Sequence, residues 1–123
     1  MTTHQLKTFL FFTFILSVSI YSLFEPDEPK KLMKKYYQNC EYEKVIEQAQ
    51  IILKNSNLSN KEKSETYLIK GVAEFSSNKF LEARISFSEL LKLNKSVKLD
   101  SNEVSPKIVK FFNELKIYDG IFN

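Results

Sequence analysis

The residues able to act as acids, bases, nucleophiles or metal ligands are few and poorly spaced for such work. The single histidine, His4, stands near the amino terminus, and the single cysteine, Cys40, stands alone. An imidazole base, a zinc site and an internal disulfide therefore all lack partners. The aspartates are Asp27, Asp100 and Asp119, without the spacing of a calcium loop. Glu43 with Glu47, and Glu62 with Glu65, sit at helical spacing, but Lys44, Lys61 and Lys63 alongside make them exposed helix faces rather than an acid and its base. Two glycines are too few for a phosphate-cradling loop. The expectation is a chain that is not an enzyme, takes no cofactor and no metal, and works by binding.

Charge narrows the partner. Eighteen basic residues against fifteen acidic ones leave a net +3, and Arg84 is the only arginine. The densest basic cluster, Lys30, Lys31, Lys34 and Lys35, follows directly on Glu25, Asp27 and Glu28, so the two fields largely cancel beyond a Debye length of about 10 Å. Nucleic-acid readers concentrate basic excess on one face, so no nucleic-acid partner is expected.

Positioning falls to two parts of the chain. The first is an apolar run from Phe9 to Phe24, sixteen residues without a charge, preceded by Lys7 and followed by Glu25-Pro26-Asp27-Glu28-Pro29. As a helix it would span about 24 Å, short of a hydrocarbon core of about 30 Å, which favours a secretory signal. Ser17-Val18-Ser19 supplies small residues where a signal peptidase cuts. The alternative is an uncleaved membrane anchor, because Ile20 to Phe24 prolong the apolar stretch past that cut. Residues 1–24 are read as a hydrophobic leader helix of one kind or the other. Cleavage, or an anchor with its following domain outward, puts the remaining body outside the cytoplasm, exported to the periplasm or cell envelope; Lys30, Lys31, Lys34 and Lys35 close behind the run leave a cytoplasm-facing anchored form as a third reading.

The second part, residues 30–118, carries its apolar residues at helical period. Few turn-formers argue against an all-β chain, so this part is read as all-α. Leu32, Met33, Tyr36 and Tyr37 form one face before Asn39-Cys40-Glu41 interrupts, and Val45, Ile46, Ala49, Ile52 and Leu53 form the next. Ser59 three residues ahead of Glu62 is a capping box that starts a third helix, which carries Tyr67, Leu68, Gly71, Val72 and Phe75. Asn78 is expected to cap a fourth helix, with Phe80, Ala83, Phe87, Leu90 and Leu91 on its apolar face. Ser105 and Pro106 then open a fifth over about 105–118.

At an offset of 38, Tyr37, Tyr42, Val45, Ala49, Ile52, Leu53 and Lys54 align with Phe75, Phe80, Ala83, Phe87, Leu90, Leu91 and Lys92. That order of residue types predicts a duplicated helical hairpin over about 30–55 and 60–95. Tyr36 to Ile46 and Gly71 to Ala83 resemble tetratricopeptide (TPR) repeats, with Gly71, Phe80 and Ala83 in the positions of the family's small residue, aromatic and alanine. The first copy departs, with Met33 for the glycine and Val45 for the alanine, and its helix contact is expected to be wider.

The resemblance implies two TPR-like hairpins closed by a capping helix, with a concave face lined by the first helix of each pair. It places Lys30, Lys34, Tyr37, Leu68, Val72 and Phe75 on that face as partner-binding residues. The implied function is a non-catalytic, exported interaction module for a protein or peptide. The alternative is a structural or self-associating subunit of an envelope assembly, since two repeats are fewer than the three or so that usually stand alone.

Overall fold

A computed structural model describes residues 28–122. The leader expected over 1–24 lies outside them. Every regular element among the described residues is a helix: α1 Pro29–Gln38, α2 Tyr42–Leu53, α3 Asn60–Ser76, α4 Phe80–Leu93 and α5 Pro106–Phe122. None is long and apolar enough to cross a membrane.

Local chemistry sets the boundaries. Pro29 opens α1 at a position whose N–H has no helical partner to lose. Ser59 and Glu62 form the expected capping box: Glu62 N donates to Ser59 Oγ at 3.1 Å and Ser59 N donates to Glu62 Oε2 at 2.9 Å. The fifth helix starts at Pro106 as expected but runs on to Phe122, past Gly120.

The two short turns are one structure built twice. Cys40 has φ of 56° and Asn78 has φ of 62°, both left-handed, 38 residues apart. Around Cys40, its N–H donates to Tyr37 O at 3.1 Å and Glu41 N donates to Tyr36 O at 2.9 Å. Around Asn78, its N–H donates to Phe75 O at 3.0 Å and Lys79 N donates to Glu74 O at 2.8 Å. This is the Schellman pattern, which satisfies two terminal carbonyls and requires one residue at positive φ. The expectation that Asn78 caps α4 is thus corrected. Asn adopts the left-handed region readily and here ends α3, while Lys79 holds the N-cap position of α4 without a side-chain cap.

Two apolar clusters share α3. Met33, Val45, Ile46, Ala49 and Ile52 from α1 and α2 close on Ala73. The neighbouring Val72 faces the other way, with Ala83, Phe87, Leu90 and Leu91 of α4 and Ile108, Phe112 and Leu115 of α5. Each hairpin therefore completes its core on the helix that follows it, and Tyr37 packs against both clusters.

The duplication hides an exchange of bulk. Gly71 abuts Phe87, and a Cβ added there would lie 2.5 Å from Phe87 Cε1. The equivalent residues in the first copy are Met33 and Ala49, both buried in one cluster. The large side chain sits on the second helix in one copy and on the first in the other. The small Ala49 shares Met33's cluster, as in the volume-conserving exchanges that cores tolerate best.

Candidate functional site

The face expected to bind begins on α1. Lys30, Lys34 and Tyr37 follow i, i+4, i+7 spacing and share one side of the helix. Leu68, Val72 and Phe75 are their counterparts 38 residues on, along α3. The six differ in what they can do.

Lys30 is a clasp. Its ammonium pairs with the Glu62 carboxylate across α1 and α3. Glu62 also accepts the Ser59 backbone N–H, and the Lys30 bond followed by that one lowers its pKa to about 2. Lys34, one turn further, is exposed. Tyr37 is half-buried, and burial first, then the nearby Cys40 and Glu103, push its phenol above the usual value.

On α3, Val72 is 5% exposed and belongs to the core, so it supports the face from below. Leu68 is half-buried on the same cluster. Phe75 is also half-buried, edge-on to Phe80 at 5.0 Å and tilted against Phe111 at 5.1 Å. The first turn of α1 and the last turn of α3 thus hold structural contacts. Lys34, Tyr37, Leu68 and Phe75 all keep accessible surface, and the Lys30 side chain, though paired, is still 43% exposed.

The segment between α4 and α5, residues 94–105, adds a side that sequence reasoning missed. Val97, Leu99 and Val104 pack on the cluster that holds Val72 and Leu68. Lys116 Nζ donates to Val97 O at 3.1 Å and pins the strap to α5. Asp100 Oδ1 accepts the Asn102 N–H at 2.8 Å, shaping the turn that carries Glu103, whose charge acts on Tyr37. The sequence holds one weak signal for this: the apolar–polar alternation of Val97-Lys98-Leu99.

A second polar group unforeseen in the sequence lies between α3 and α4. Glu74, 1% exposed, accepts from Ser86 Oγ and from Lys70 Nζ at 3.0 Å, and Lys70 Nζ stands 3.1 Å from Ser86 Oγ. A serine beside a lysine and a carboxylate has the makings of a nucleophile. Here Ser86 is itself 1% exposed, and no substrate reaches it while α3 and α4 stay packed. The group acts as an internal polar fastener in which each member satisfies the others. Among the described residues no buried side-chain polar atom lacks a partner, and no cluster of three His, Cys, Asp or Glu could hold a metal ion.

The chain matches no family model, no curated protein and no solved structure.

Proposed function

We propose that this chain is a non-catalytic, TPR-like interaction module that holds a protein or peptide segment across α1 and α3. One observation carries the reading. The exposed Lys34 and the half-buried Tyr37 and Leu68 lie on adjoining helices over a closed core, with Glu103 beside Tyr37. An aromatic ring and an aliphatic side chain offer apolar area, and the flanking charges of opposite sign fix a segment's direction. The ligand this chemistry favours carries an apolar anchor with a carboxylate next to it, for Lys34. The leader reading adds that the module works outside the cytoplasm, either freed by cleavage or tethered by residues 9–24.

Selection from a displayed peptide library tests the binding claim. Peptides that share an apolar residue beside an acid should emerge, and Lys34→Glu should weaken them by about tenfold or more, the loss of one charge-assisted contact. Lys95→Glu, exposed at the start of the strap and outside the Val97, Leu99 and Val104 contacts that border this face, should leave them unchanged. Equal affinity for both variants would refute the assignment. For export, mass spectrometry of the mature amino terminus should find a start near Ile20 or, for the tethered form, the intact leader in the membrane fraction.

A further inference from the structure

The outer side of α4 and α5 has no counterpart in the first hairpin. Glu43 and Glu47 occupy the outward positions of α2, and 38 residues on they become Leu81 and Ile85, which are 68% and 56% exposed. Ile117 and Ile121, one turn apart on α5, are 65% and 70% exposed. Arg84 and Tyr118 join the two helices, guanidinium over ring at 5.0 Å. Beside them a cleft of about 240 Å³ opens between α4 and α5.

The α5 end of the helix stack is therefore apolar, whereas helical arrays normally close on a polar outer face. The α1 end shows that polar face, with Lys31, Lys34 and Lys35 exposed. Head-to-tail stacking of copies would set lysines against isoleucines. A twofold axis sets isoleucines against isoleucines, and closes.

We propose that two copies of this chain pair through α4 and α5, with their α5 helices antiparallel so that Ile117 and Ile121 meet their counterparts. Gly120 favours the close approach. It lies within a helix, where glycine costs about 1 kcal/mol relative to alanine, yet among the described residues a Cβ there would meet nothing within 4 Å. The area suffices. Leu81, Ile85, Ile117, Tyr118 and Ile121 offer on the order of 100 Å² each. With the charged rim of Arg84, Lys110 and Glu114 they approach the roughly 800 Å² per partner of a standard interface. Lys110 and Glu114 pair at 3.9 Å and cancel, so Arg84 leaves the rim a net charge of only +1.

The test uses the full chain in mild detergent. Sedimentation should give a dimer, and Ile117→Asp with Ile121→Asp should weaken it by about a hundredfold or more, with helicity by circular dichroism unchanged. In a Cys40→Ser background, Ile117→Cys should be joined to its twin by a short bis-maleimide, while the native Cys40 at the far end of α1 should not. A monomer would overturn the proposal and leave the face to another protein. Association indifferent to the aspartates would also overturn it, and would assign pairing to the apolar run from Phe9 to Phe24.

Discussion

Enlarging Gly71 perturbs a close crossing of α3 on α4. A Cβ at that position would stand 2.5, 2.7 and 3.0 Å from three atoms of the Phe87 ring, against a normal carbon–carbon contact of about 3.5–4.0 Å. Phe87 cannot yield. It is fully buried, with Phe112 at 5.3 Å and Phe111 at 6.2 Å behind it. Overpacking of this kind costs about 2 kcal/mol, and the better helix propensity of alanine returns about 1, so Gly71→Ala should lose about 1 kcal/mol net. Gly71→Met alone should lose about 3 kcal/mol or more, and Phe87→Ala alone about 3–5 through its cavity. The double variant recreates the Met33 and Ala49 arrangement of the first hairpin, so bulk and cavity cancel. Urea unfolding followed by circular dichroism closes the cycle, with an expected coupling of about 2 kcal/mol or more in favour of the pair. Additivity within about 0.5 kcal/mol would refute the idea that the two hairpins share a crossing with bulk on opposite sides.

Cys40 holds a left-handed conformation that Asn78 adopts more easily, so Cys40→Asn should stabilise the chain by about 0.5–1 kcal/mol, read as a raised urea midpoint. Glu74→Ala strands Lys70 and Ser86 between α3 and α4 and should cost about 3 kcal/mol, near the low end for a broken buried pair because Lys70 keeps some solvent; Glu74→Gln should cost less, since its amide still bonds Ser86. Glu62 titrates at about 2 when folded, against its usual 4.5, so the clasp to Lys30 contributes fully above pH 4.5 and is lost as pH falls toward 2. An acid titration should show Glu62→Gln removing that part of the pH dependence.

The helices were legible because their signals are local. Apolar residues at helical period, the Ser59–Glu62 capping box and Pro106 each act within a turn or two of chain, and the structure follows them. The offset of 38 was legible too, and it reappears as matched turns at Cys40 and Asn78. Three things were not. Asn78 favours both a helix start and a left-handed stop, and only the packing of α4 on α3 decides between them. The exchange between Gly71–Phe87 and Met33–Ala49 is invisible along one helix, since it concerns volume summed across two. The strap of residues 94–105 lacks helical period, and its hold on the α3 face comes from long-range contacts at Val97, Leu99 and Val104. Of the six residues expected on the binding face, Val72 lies in the core and Lys30 is paired with Glu62, contacts that the pattern along α1 and α3 does not show.

The most direct measurement is photo-crosslinking of the full chain in its native cells, with a benzophenone side chain at position 34 or, for comparison, at position 95. The account predicts an adduct from position 34 that a selected peptide competes away, and none from position 95. Adducts that ignore the competitor, or that form equally from both positions, would contradict it.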